Sequence, residues 1–168
     1  MSEIFTLFGD GGSRGNPGPA ASGFVVYKAE SESSDSTGKN PTGGLGSHKL
    51  DLNNLGQKII SASKFLGDTT NNQAEWQALT LGLKAIMEYC VDNKLDSKSI
   101  EIEVFMDSLL VVQQAKGVYK VKNLDLKSHL TTLRELQGSF KATSFYHIYR
   151  EFNKVADSLV NECLDGQA

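Results

Sequence analysis

Apolar and polar positions divide this chain into segments of two periods. Residues 4–8 and 20–27 are apolar runs rich in β-branched and aromatic side chains, separated by a turn dense in Gly, Asn and Pro. That pattern predicts a β-hairpin whose first strand delivers Asp10 to its tip. Residues 58–66 form a third strand-like run, closed by Gly67-Asp68, so three antiparallel strands are predicted to open the fold. A polar cluster, Thr69-Thr70-Asn71-Asn72, then carries capping residues into a helix that extends to about Tyr89, with Leu79, Gly82, Leu83, Ile86 and Cys90 on one face. Residues 99–106 read as a fourth strand leading into a helical run at 109–115; a further helix is predicted at about 125–137 and a fifth strand at 141–149. The last helix is predicted from Arg150 to about Leu164, packing through Phe152, Ala156, Leu159 and Cys163.

Composition adds bounds to this picture. From about 29 to 57 the chain is mostly Ser, Gly, Asn, Asp and Lys, the make-up of a long polar surface loop. A length of 168 residues and an apolar fraction of 39% suit one soluble domain spanning 1–168. No apolar run approaches membrane-spanning length, and the N-terminus lacks the basic-then-apolar order of a secretory signal, so a cytoplasmic protein with no membrane partner is expected. Cys90 and Cys163 sit on apolar helix positions without the paired spacing of a zinc site, which predicts buried free thiols. A net charge of -3 argues against a protein that coats nucleic acid by bulk electrostatics, while leaving room for local basic patches.

Four acidic residues stand where candidate chemistry would need them, and each has a plainer reading. Asp10 ends an apolar run beside glycines that let a polymer backbone approach closely, which suits metal-assisted phosphoryl transfer; Asp-Gly is equally a turn signal. Glu75 lies one turn before the apolar face of its helix, so its carboxylate points toward the sheet and needs a cation, donors or an open cleft. Alternatively it is a first-turn glutamate complementing the helix dipole. Asp107 ends the fourth strand, where Asp-Ser before an apolar run is also an ordinary N-cap. Asp157 borders the apolar face of the last helix, one turn beyond Asn153. Residues 116–123 carry Lys116, Lys120 and Lys122 beside Tyr119, a solvated loop or a phosphate-contacting one. His147, among aromatics in a strand, reads as a hydrogen-bonded structural histidine.

Taken together, four segments resemble the ribonuclease H type 1 family. They are Asp10-Gly11-Gly12-Ser13-Arg14-Gly15-Asn16-Pro17-Gly18-Pro19, Thr70-Asn71-Asn72-Gln73-Ala74-Glu75, Met106-Asp107-Ser108, and Arg150-Glu151-Phe152-Asn153-Lys154-Val155-Ala156-Asp157. The match covers nearly the whole chain. It implies an α/β ribonuclease H-like fold: a five-stranded mixed sheet, its first three strands antiparallel and the last two parallel to the first, flanked by helices. It implies hydrolysis of the RNA strand of RNA/DNA hybrids, leaving 3′-hydroxyl and 5′-phosphate ends. By the same resemblance Asp10, Glu75, Asp107 and Asp157 are the metal-binding carboxylates for two Mg²⁺ ions, with Mn²⁺ as a substitute. One ion would activate the attacking water and the other would stabilise the leaving oxygen. Asp10 would bridge the metals, Glu75 and Asp107 would hold one ion, and Asp157 the other. Asn16, Asn71 and Asn72 would line the minor groove, and Thr70 would help to hold a DNA phosphate.

Two departures from the family's best-known bacterial pattern shape the remaining expectations. The basic, tryptophan-bearing protrusion is absent, with only residues 116–122 in its place, so Lys120 and Lys122 are left as phosphate contacts. The loop before the last helix is short and lacks a histidine; Arg150 occupies it, although a guanidinium does not deprotonate. A monomer is expected. A non-catalytic binding module and a different nuclease on the same fold are the rival readings. Retention of all four carboxylates weighs against the first, and the Gly-Asn-Pro-Gly and Thr-Asn-Asn segments weigh against the second.

Overall fold

The computed structural model describes residues 3–29 and 51–167. Strands β1 (Glu3–Ser13), β2 (Gly18–Lys28) and β3 (Gln57–Thr69) form an antiparallel meander, and β4 (Ile100–Met106) and β5 (Ala142–His147) run parallel to β1 and to each other. The order across the sheet is β3-β2-β1-β4-β5, the five-stranded mixed sheet expected from the sequence. Helix α1 (Asn71–Asp92), α2 (Leu109–Lys116) and α3 (Leu124–Gln137) cover one face, and α4 (Lys154–Asp165) covers the other. Alternation along β1 divides the core accordingly: Phe5 and Leu7 pack under α1 with Leu79, Leu83 and Ile86, while Phe8 joins Val25, Phe105 and Ala156 on the α4 side.

Each helix start is set by local chemistry. Thr70, Ser108 and Asn123 cap α1, α2 and α3 by accepting from Gln73 N, Val111 N and Asp125 N. Trp76 Nε1 donates to Gln114 Oε1 at 3.0 Å in the buried seam between α1 and α2. No helix among the described residues is long and apolar enough to cross a membrane.

Several boundaries differ from expectation for physical reasons. β1 does not end at Asp10; pairing with β2 continues from Asp10 opposite Gly23 to Ser13 opposite Ala20. β3 does not stop at Gly67-Asp68, because a register shift opposite Ala20 and Ala21 places Gly67 at φ 74° and lets the strand run on to Thr69. The last helix begins at Lys154, after a 3-10 turn at Arg150–Phe152. Its inward face is Ala156, Val160 and Leu164, which leaves Phe152 exposed and Cys163 only partly covered. Cys90 is buried and free. The polar loop expected at about 29–57 falls largely outside the described residues; its described end brings Leu55 against the Phe8 cluster.

Two glycines set how near the helices come to β1. A Cβ on Gly11 would lie 2.2 Å from the Ala74 carbonyl carbon of α1, and one on Gly23 would lie 2.9 Å from Ala156 O of α4. The backbones therefore meet at the level of Asp10, since Gly11 follows it and Gly23 pairs with it. Gly11→Ala is expected to cost about 3 kcal/mol of stability. At Gly12 a Cβ would meet only Val160 Cγ1 at 3.6 Å, and Gly12→Ala should cost less than about 1 kcal/mol. Urea denaturation of both variants checks this, and equal midpoints would contradict it.

Candidate active site

The acidic residues collect where β4 ends. Parallel pairing of β1 with β4 stops at Gly9 opposite Met106; beyond it β1 has only β2 beside it. Asp10 therefore sits at the mouth of the crevice outside the carboxyl ends of the parallel strands, the usual ligand position in an open α/β sheet. Asp107 leaves β4 at this point, and α1 brings Glu75 in over Gly11. One carboxylate oxygen from each of Asp10, Glu75 and Asp107 lies within 4.8 Å of the others. Asp157 stands outside this tight trio, in the first turn of α4, where Asn161 Nδ2 donates to its Oδ2 at 3.3 Å. It is still near enough for its charge to act on Asp10.

Neighbouring polar groups hold the trio in place. Ser22 Oγ donates to Ala74 O at 2.6 Å, tying the start of α1 to β2 one residue before Glu75. Ser108 hydrogen-bonds the Glu75 carboxylate while its Oγ accepts from Val111 N. Asn153, only 1% exposed, donates from Nδ2 to Gly9 O at 2.9 Å, and its backbone oxygen accepts from Asp157 N. It thus ties the strand residue before Asp10 to the turn carrying Asp157. His147 Nε2 lies 3.2 Å from Asp107 O, so it is a hydrogen-bonded histidine as read from the sequence, with a partner the sequence did not name. Reading the sequence did not single out Ser108 or Asn153 for these tasks. Both lie inside the motifs, but each looks like a helix cap, and only the tertiary structure reveals the partner.

Burial and crowding dominate the electrostatics. Burial, followed by the charges of Asp107, Asp157 and Glu75, pushes the Asp10 carboxyl up to about 8, against a smaller opposing effect of the Gly11 N–H. Glu75 is raised to about 7, mainly by burial; the Ser108 hydrogen bond lowers it, Asp107 raises it and Arg150 lowers it. Arg150 Nε stands 3.6 Å from Asp107 Oδ2 with its own side chain 87% exposed, too solvated to neutralise the group. A cluster of hard oxygen ligands with so few local donors fits a hard divalent cation.

The remaining predicted residues fall around the rim. Asn71 Oδ1 accepts from Ser13 N at 2.8 Å and from Ser13 Oγ at 3.1 Å, and Asn71 N donates to Asn16 Oδ1 at 3.1 Å. These bonds join the β1–β2 turn to the start of α1 and occupy the amide oxygens rather than the amide nitrogens. Thr70 Oγ1 accepts from Gln73 N at 3.2 Å, and Asn72 is exposed next to it. Lys120 and Lys122 are exposed between α2 and α3, on either side of buried Val121.

Comparison with known proteins places this arrangement. The family described as Reverse transcriptase-like matches residues 36–163. Ribonuclease HI of Halobacterium salinarum is 33% identical over 156 residues, 93% of this chain and 62% of that protein. A bifunctional protein of Mycobacterium tuberculosis is 32% identical over 95% of this chain, which spans 35% of its length. The chain thus spans less than two thirds of these curated relatives. Among solved structures, the crystal structure of the Halobacterium RNase H1 aligns with a TM-score of 0.71 at 33% identity, covering 97% of this chain and 98% of that one. LC11-RNase H1, obtained from compost and solved in complex with an RNA/DNA hybrid, aligns with a TM-score of 0.74 at 34% identity, covering 97% and 98%.

The raised carboxyls dictate how stability depends on pH. Asp10 binds its proton more tightly in the folded chain than in the unfolded one, so its stabilising contribution is full below its ordinary value of 3.8 and is lost as pH rises through about 8. Glu75 acts in the same direction, with its loss ending near 7. Metal-free protein is therefore expected to lose a few kcal/mol of stability between about pH 5 and pH 8, and Asp10→Asn should remove most of that fall. Denaturant titrations at the two pH values test this; an unchanged or rising stability would contradict it.

Proposed function

The chain belongs to the ribonuclease H type 1 family, and on that premise we propose that it is an endonuclease hydrolysing the RNA strand of RNA/DNA hybrids, leaving 5′-phosphate and 3′-hydroxyl ends. The observation that carries this reading is the convergence of Asp10, Glu75 and Asp107 from β1, α1 and the end of β4 to within 4.8 Å, with Asp10 buried. Family members depend on divalent metal, and we assign two Mg²⁺ ions, replaceable by Mn²⁺, to these three carboxylates together with Asp157. When bound, such ions supply an activated water and neutralise charge on the scissile phosphate.

The chain's own groups supply orientation. Asn16 and Asn71 use their side-chain oxygens internally, so their Nδ2 groups, with Asn72, are the donors presented to 2′-hydroxyls in the minor groove. Thr70 accepts from the backbone of α1 and retains its hydroxyl proton to donate to a DNA phosphate at the positive end of that helix. Arg150 stands beside Asp107 at the rim and offers a cation to a substrate phosphate. Lys120 and Lys122 contact phosphates further out. We read the whole chain, 1–168, as one domain acting as a monomer in the cytoplasm.

Cleavage of matched hybrid, RNA/RNA and DNA/DNA duplexes in Mg²⁺, with each hybrid strand labelled in turn, tests the reading. Cutting confined to the RNA strand of the hybrid is expected, and Asp10→Asn or Asp107→Asn should lower it by at least about 10³-fold with the fold intact. Near-native turnover in either variant would overturn the metal-ligand assignment, and equal cutting of the DNA duplex would point to a general nuclease. Replacing Lys120 and Lys122 together by Ala should reduce the slope of log affinity against log salt by about 1 to 2; an unchanged slope would remove this loop from the nucleic-acid interface.

A further inference from the structure

Away from the acidic site, a cavity of about 380 Å³ opens between the end of α2, α3 and the free edge of β5. Its volume lies in the range of small-ligand sites. Lys116 and Arg134 line it, and none of its lining residues is acidic, although the chain carries a net charge of -3. Neither cation forms an ion pair among the described residues.

The cavity is held open by fixed polar groups. Arg134 Nη1 donates to Ala115 O at 2.8 Å and to Gln137 Oε1 at 2.6 Å. These bonds anchor the guanidinium and cover a carbonyl at the negative end of α2. Gly117 N, Val118 N and Tyr119 N cover the carbonyls of Gln114 and Gln113, so the helix end that would repel an anion is largely satisfied. Thr143 Oγ1, also at the cavity, is buried and has no hydrogen-bond partner among the described residues. A buried hydroxyl without a partner is costly unless a ligand or water completes it. β5 is the edge strand. Ile148 N donates inward to Met106 O, and alternation in the register with β4 then turns the Thr143 and Phe145 N–H groups outward to the open edge.

Two cations, a hydroxyl and outward N–H groups converge on a space without carboxylates, and we infer that this cavity is a phosphate-binding subsite separate from the acidic centre. The phosphate comes from the backbone of a bound nucleic acid or from free phosphate or a nucleotide. The first source rests on the nuclease reading above. α2 is eight residues long and so carries Lys116 about 12 Å from the Asp107 end, the rise of three to four nucleotides of one strand.

The test uses the full chain and a double variant, Lys116→Gln with Thr143→Val, which leaves the Arg134 anchor intact and removes no hydrogen bond seen in the fold. Inorganic phosphate is titrated at constant ionic strength, with chloride as control, while backbone amide NMR shifts are followed; in parallel, hybrid affinity is measured against salt. Saturable shifts at the Thr143 and Phe145 amides are expected, weakened about tenfold or more in the variant. If nucleic acid supplies the phosphate, the salt slope of hybrid binding falls by about 1 in the variant. An unchanged slope with saturable phosphate binding assigns the site to a free phosphate or nucleotide. Absence of saturable phosphate binding together with an unchanged slope overturns the inference. Failure of the nuclease reading would appear instead as absent hybrid cleavage and would leave the phosphate titration unaffected.

Discussion

Like charges confined away from water are the constraint on which this fold depends. Asp10, Glu75 and Asp107 place oxygens within 4.8 Å of one another, and Asp10 is only 8% exposed. Left to themselves these groups would separate or neutralise. Confinement comes from elements with no freedom to yield: the α1 backbone lies directly against Gly11, Ser22 fixes Ala74, and Asn153 ties Gly9 to the start of α4. The metal-free site is thus a strained arrangement that a divalent cation relieves, which is how a stability cost becomes a binding energy for the ion.

Much of this was legible in the sequence, for identifiable reasons. The apolar face of α1, from Leu79 to Cys90, is entirely buried, because a 3.6-residue period needs no tertiary information to be recognised. The three acidic residues of the trio were marked by their positions at element boundaries. Their convergence was not readable, since it depends on β4 ending opposite Gly9 while β1 continues. Asp10 was placed at a hairpin tip for that same reason: the sequence shows where a turn lies, not how far two strands remain paired. The start of the last helix was placed at Arg150 because the segment reads as continuous helix, whereas Arg150–Phe152 forms a separate 3-10 turn and Asn153, at the N-cap position, directs its amide to Gly9 O. Phe152 was assigned to the core by its apolarity and is exposed in the 3-10 turn.

Charge is divided between centre and rim. With a net charge of -3, the chain cannot hold a polyanion by overall attraction, and its cations act locally. Arg150 stands beside Asp107, while Lys120 and Lys122 project from the segment between α2 and α3. On the proposed hybrid-binding reading, uncharged donors at the start of α1 would carry the remainder, and their geometry is fixed by bonds among Ser13, Asn16 and Asn71. Such an arrangement relies on shape and hydrogen bonding more than on screened electrostatics.

The most direct measurement is the titration of the Asp10 side chain followed by carboxyl ¹³C NMR, first in metal-free protein and then with increasing Mg²⁺. Without metal Asp10 is predicted to titrate at about 8, because burial and its acidic neighbours favour the protonated form. Added Mg²⁺ should move the midpoint down into the ordinary carboxylate range as the ion replaces the proton. A metal-free midpoint near 3.8, the ordinary value, with no response to Mg²⁺, would show that the carboxylates are neither crowded nor arranged for a cation.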